Sequence, residues 1–245
     1  MNHRKWEAWL AVSRKIETGG RNADVVAGAG DTPQPHHEAF VRRLIEYLPP
    51  MTLLGVPAKV LAPGCMEEAL LLARAGYEVH ALLLGPDNVR WLADKAASIP
   101  GPGKVVAREV DAHDLDYPAA FFDGYFSSQF HEHLLSWVAH LGEVRYCSKP
   151  GAIAFVDACG VLEPAFRIVW HTNLVPEQQV FEQWDFWGWA ELWRGDRGDS
   201  QPQFVFEMLP MGAPAFKHSG YLSWAMRLRA GEKVRYDYRC PECAK

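Results

Sequence analysis

The stretch Val60–Val89, VLAPGCMEEALLLARAGYEVHALLLGPDNV, decides how this chain is built. An apolar run meets Gly64, a helical stretch with two acids at its start follows, Gly76 closes it, and a second apolar run begins at Val79. Strand, glycine turn, helix and strand in that order outline a βαβ unit of the kind that holds a nucleotide-like ligand. A glycine at the first turn lets backbone approach a ligand closely, and the helix that follows opens with unpaired N–H groups.

The composition sets outer bounds. With 245 residues, 49% of them hydrophobic, the chain can bury a full core as one domain, with or without additions. A net charge of −5 gives no electrostatic footprint for nucleic acid, so a small or neutral partner is expected. No apolar run is long enough to span a bilayer. The opening MNHRKWEAWLAVSRKIE lacks the continuous apolar stretch and small-residue cleavage site of a signal peptide. Five scattered cysteines, an odd number, argue against a disulfide framework and for a reducing compartment, so a cytoplasmic location is expected. Ten tryptophans, several after residue 170, are expected to pack a core or an interface.

Periodicity gives the organisation. Trp6, Trp9, Leu10 and Ile16 predict an amphipathic helix over 3–17, and Phe40, Leu44 and Leu48 a second over 36–48, stopped by Pro49 and Pro50. From Lys59 short apolar runs alternate with helical ones, predicting strands at 59–63, 78–84, 104–110, 123–128 and 152–158. PEQQVFEQWDFW reads as a late helix, with extended stretches near 189–194, 203–208 and 221–229. The alternation predicts a three-layer α/β/α sandwich on a mostly parallel sheet. Residues 1–50 would form a helical cap, 51–230 the main domain and 231–245 a tail.

The order and spacing of these pieces resemble the class I S-adenosylmethionine-dependent methyltransferases, from about Ala58 to Ala158 and more loosely to Arg229. KVLAPGCMEEALLLARAGYEVHAL stands where that family has its first strand, glycine loop, helix and second strand. VDAHDLDYPAAFFDGYFSSQFHEHL resembles the third and fourth strand region, and EVRYCSKPGAIAFVDA the helix, Lys-Pro-Gly turn and fifth strand. PEQQVFEQWDFWGW resembles the late helix. The resemblance implies a Rossmann-like methyltransferase sheet, S-adenosylmethionine as cofactor and a small-molecule acceptor.

It also implies site residues. Gly64, Cys65, Met66 and Glu67 would form the glycine loop, and Leu83 and Asp87 the ribose edge. Asp111, Ala112 and His113 would form the adenine loop, with the Asp111 carboxylate accepting from the exocyclic amine and the Ala112 N–H serving the ring. Ser128 and Gln129, after Ser127, would close the fourth strand beside the transferred methyl. The chain departs from the family where acids would stand at Ala62 and Leu83, and glycines at Met66 and Glu68. Without the acid at Leu83, two charge-assisted hydrogen bonds to the ribose are lost, roughly 3 kcal/mol or a hundredfold in affinity. Asp87 or Asn88 would reach the ribose if the loop turns back, and for Asp87 the alternative is a helix cap. Met66 and Glu68 would crowd a cofactor held near the backbone. Glu67 or Glu68 would either face the methionine amino group or sit solvated at a helix start, where the macrodipole favours acids.

The candidate catalytic residues are His131, Glu132 and His133. Glu132 and His133 match a pair frequent in the family, for which a structural role near the pocket is the alternative. His131, at a position usually apolar in the family, would act as general base toward an acceptor hydroxyl near neutral pH. Histidines at i and i+2 share a side only in an extended segment, so no catalytic metal is expected. Cys240 and Cys243 in RCPECAK supply half of a closed zinc site, which a homodimer would complete, but the tail is expected to be metal-free. As an enzyme the protein would move a methyl group by direct displacement, with catalysis mostly positioning. The alternative is a catalytically inactive protein of the same fold serving as a binding or assembly module.

Overall fold

The structure, a computed structural model, describes residues 35–83, 85–128, 130, 131, 134, 137–158, 177–196 and 202–210. The expected helix over 3–17, the extended stretch near 221–229, and Cys240 and Cys243 lie outside them, as do Gln129, Glu132 and His133. The described elements run α1 Pro35–Tyr47, β1 Lys59–Pro63, α2 Glu67–Arg74, β2 Glu78–Leu83, α3 Pro86–Ala96, β3 Lys104–Glu109 and β4 Phe122–Ser128. Then follow α4 Trp137–Cys147, β5 Ser148–Asp157, α5 Glu177–Phe186, β6 Trp189–Asp196 and β7 Pro202–Met208.

The seven strands form one sheet in the order β3-β2-β1-β4-β5-β7-β6. β1 to β5 pair in parallel, whereas β7 runs antiparallel between β5 and β6. The order reverses direction at β1 and β4, which is where an open α/β sheet leaves a crevice at the carboxyl ends of its strands. β5 begins earlier than its apolar run, because Ser148 pairs with Phe122 and the ladder then shifts register before Gly124 meets Ile153. At that irregularity Asp123 accepts the Lys59 N–H at 2.9 Å and the Lys149 ammonium at 2.6 Å, tying β1 and β5 to β4 at the amino end of the sheet.

Alternation along the strands produces two cores. Val60, Ala62, Val79, Ala81, Phe126, Phe155 and Val205 face α1, α2 and α3, where Phe40, Leu44, Leu72 and Leu92 are buried against them. Leu61, Leu82, Tyr125, Ala154, Val156, Phe204 and Phe206 face α4 and α5. Trp184, Trp187 and Trp189 fill this second layer and are almost wholly buried, so the late tryptophans named here serve the core rather than an outer interface. At about 25 cal/mol per Å² of apolar surface, rings of about 150–250 Å² make this layer costly to expose.

α1 bridges early and late parts of the chain. Its first turn brings His37 Nε2 to 3.5 Å from Glu68 of α2. Farther along, the Arg43 guanidinium lies 4.2 Å from the centre of the Trp193 ring on β6. Just past its end, the Tyr77 hydroxyl donates to the Leu48 carbonyl.

Candidate functional site

Gly64 is where the site begins. It sits directly after β1 with φ +70, a left-handed conformation that favours glycine, and its N–H donates to the Leu82 carbonyl of β2 at 2.8 Å. A Cβ at this position would lie 2.7 Å from Cδ2 of Phe130, so the Phe130 ring rests on the turn itself. Cys65 and Met66 are buried in the α1–α3 core, with Cys65 Sγ 3.5 Å from the Pro63 carbonyl. Glu68 is also buried, and His37 faces it. No side chain caps α2, whose first turn instead carries Glu67 and Glu68, acids that suit the positive end of a helix.

Leu83 ends β2 and is buried in the same core as Leu92, so the strand offers apolar surface where an acid was wanted. α3 starts at Gly85 (φ 95), followed by Pro86 at the first helical position, where its missing N–H costs nothing. Asp87 is thus not the cap, and its exposed carboxylate pairs with Arg90 one turn on.

The loop after β3 is the best-defined part. The Asp111 carboxylate receives the His113 backbone N–H at 2.9 Å and the ring Nδ1 at 2.7 Å, both on Oδ1, so its Oδ2 takes neither bond. Burial pushes the Asp111 carboxyl up, but the two bonds and the charge of His113 outweigh it and hold the group below its usual range. Its side chain keeps 39% of its exposure while that of His113 keeps 14%. An ionised, half-open carboxylate therefore stands just past β3, at the carboxyl end of the parallel strands.

Behind this loop lies a network that nothing in the sequence reading identified. The Ala112 carbonyl can only accept, so Nδ1–H of the fully buried His140 donates to it at 2.8 Å. His140 Nε2 is then an acceptor, and the Tyr125 hydroxyl of β4 donates to it at 2.9 Å. Loss of hydration pushes the His140 imidazole down to about 3 and the Tyr125 hydroxyl well up, so both stay neutral. Three residues along α4, the buried Glu143 accepts the Leu115 N–H at 2.9 Å. The available signal was a pair of polar residues at i and i+3 in WVAHLGEVRYC, a helix otherwise apolar nearly all round.

At the end of β4, Ser127 is fully buried and Ser128 partly so. His131 is 1% exposed, and among the described residues neither ring nitrogen has a hydrogen-bond partner. Tyr125, Phe130, Trp137, His140 and Trp184 surround it at centroid distances of 6.0–6.5 Å. Loss of hydration pushes its imidazole down to about 4. An imidazole held that low is neutral near neutral pH, and it stands among aromatic rings just past the end of β4.

A parallel sheet with an antiparallel seventh strand beside the fifth, a glycine turn after β1 and an acid after β3 together define a Rossmann-like α/β domain. Residues 61–156 match the family profile described as a methyltransferase domain, and the strand order is that of a methyltransferase-type Rossmann-like fold. Among solved structures, the [4+2]-cyclase SpnF is 16% identical with a TM-score of 0.59, over 70% of this chain and 80% of that one. A SAM-dependent methyltransferase from Aquifex aeolicus is 16% identical with a TM-score of 0.53, over 70% and 98%. The geranyl diphosphate C-methyltransferase from Streptomyces coelicolor A3(2) is 11% identical with a TM-score of 0.55, over 69% and 78%. At these identities the likeness is one of fold. No curated protein matches the sequence itself. No helix among the described residues is long and apolar enough to cross a membrane.

Proposed function

We propose that the protein transfers a methyl group from S-adenosylmethionine to a small-molecule acceptor by direct displacement. The observation that carries this is the half-open, ionised Asp111 at the carboxyl end of β3, in the same sheet as the left-handed Gly64 turn after β1. The donor chemistry of that pair fits the cofactor: Asp111 Oδ2 and the Ala112 N–H suit an adenine edge, and the Gly64 backbone suits close approach. When bound, S-adenosylmethionine supplies an electrophilic methyl group. The chain's own work is positioning and exclusion of water, for which the closed aromatic surround of His131 is suited. His131 itself stays neutral and would orient the acceptor by a hydrogen bond. The ribose edge fits less well, because Leu83 offers no acceptor, so binding is expected to be weaker than in a relative that keeps the acid.

Two observations favour a second reading, an inactive module of the same fold. Phe130 packs onto Gly64, and Leu83 leaves the ribose hydroxyls without an acid. That a [4+2]-cyclase shares the fold is a reminder that architecture alone does not set the reaction. Calorimetric titration with S-adenosylmethionine and S-adenosylhomocysteine separates the two. Binding that falls about tenfold in Asp111→Ala, a loss of 1–3 kcal/mol, supports the enzyme. No heat and no thermal shift at millimolar cofactor supports the module.

A further inference from the structure

We propose that His140 and Glu143 of α4 are positioning residues that hold the 111–115 loop in the shape that recognises adenine. This rests on the reading that Asp111 and Ala112 receive the adenine ring. The two side chains come from one buried face of one helix, and they grip the loop at two points of opposite polarity. His140 donates to the Ala112 carbonyl at 2.8 Å, and Glu143 accepts from the Leu115 N–H at 2.9 Å. Between these points Asp114 N–H returns to the Asp111 carbonyl at 3.0 Å, closing a turn. With Ala112 held at its carbonyl and Leu115 at its nitrogen, the loop has little freedom to rotate its peptide planes. The direction of the Ala112 N–H and of the Asp111 carboxylate follows.

The chain of bonds continues beyond the loop. His140 can donate at Nδ1 only while Nε2 accepts, and the Tyr125 hydroxyl supplies that donor from the middle of β4. Tyr125 therefore selects the tautomer that His140 needs. All three side chains are withdrawn from water, His140 and Tyr125 completely, so breaking one bond strands its partner in a low-dielectric core. That asymmetry makes the loop's geometry sharp. It also makes a specific prediction about ligand chemistry: the loop should distinguish a purine that donates from its 6-position, as adenine does, from one that accepts there, as hypoxanthine does. An unclamped loop can turn its polar groups to suit either.

The experiment compares S-adenosylhomocysteine with S-inosylhomocysteine by calorimetry, alongside amide hydrogen exchange over residues 109–118 without ligand. In the parent, the adenine form is expected to bind at least about thirtyfold tighter, and the Leu115 amide to be protected. His140→Leu should weaken S-adenosylhomocysteine about tenfold, cut the discrimination to a few-fold, and speed exchange in the loop. His140→Asn, whose amide nitrogen lies where Nδ1 does, should restore most of the discrimination. Tyr125→Phe should lose part of it through the tautomer alone, with little packing change. An unaltered adenine-to-hypoxanthine ratio in folded Tyr125→Phe and His140→Leu, or unchanged exchange in the loop, overturns the proposal. Failure of the parent to bind either nucleoside overturns the function proposed above instead. In that case the exchange comparison still decides whether the clamp exists.

Discussion

Mild acid should weaken the fold well before its carboxylates titrate. His131 and His140 are wholly buried in one aromatic layer, and loss of hydration pushes them from 6.5 down to about 4 and about 3. In the unfolded chain each returns to its ordinary value. Because the folded values are depressed, the unfolded state binds more protons in acid. Stability present above pH 6.5 is therefore lost as the pH falls toward the folded values. At about pH 5 each unfolded imidazole is almost fully protonated while its folded counterpart is neutral, which costs about 2 kcal/mol apiece and about 4 together relative to pH 7.5. His80, also pushed down by burial despite its bond to Glu78, adds a smaller loss of the same sign. Asp111 and Glu78, held low, lose their contributions only at more acid pH. Urea unfolding followed by tryptophan fluorescence at the two pH values measures the difference. His131→Phe keeps a ring in the same space without a titrating group, and should remove about half of the drop. Equal stability at the two pH values, within about 1 kcal/mol, or a full drop in the His131→Phe variant, would refute the reasoning.

Two other substitutions probe the carboxyl end of the parallel strands. Gly64→Ala meets both a left-handed backbone and the Phe130 ring, and should cost about 1–3 kcal/mol in unfolding free energy. Adding Phe130→Leu should recover part of it, and strict additivity in the double-mutant cycle would show that the ring does not rest on the turn. Leu83→Asp should act in opposite directions on two readouts, lowering the melting temperature because a buried apolar side chain becomes a carboxylate, yet tightening S-adenosylmethionine about tenfold. A tighter complex without the stability loss would mean that Leu83 is not part of the core.

Most of the fold was legible in the sequence because it is written in apolar periodicity. The runs at Val60, Val79 and Val105 became adjacent parallel strands, and Trp189 and Phe204 opened an antiparallel pair. β5 was read four residues short, since Lys149, Pro150 and Gly151 look like a turn and instead form the irregular start of the strand. Of the candidate site, the sequence made legible the turns that demand a residue type, as at Gly64 and Asp111. Direction was not legible: nothing in the string tells that Met66 points into the core, that Asp87 turns to Arg90, or that His131 is sealed among rings. The His140–Ala112 bond joins residues far apart in the chain, and periodicity carries no information about such pairs.

α1 has a bearing on how the chain is made. One end of this helix meets Glu68, and its middle lies against Trp193 on β6, a strand synthesised much later. During translation the helix can find α2 early, but the other half of its seat does not exist until β6 has left the ribosome and paired with β7. Until then Phe40, Val41 and Leu44 face an unfinished sheet, with β5 lacking its outer neighbour. Distant contacts of this sort slow folding, and they expose apolar surface while the chain waits. Chaperone capture of nascent chains should accordingly peak after α1 emerges and fall once β7 is out.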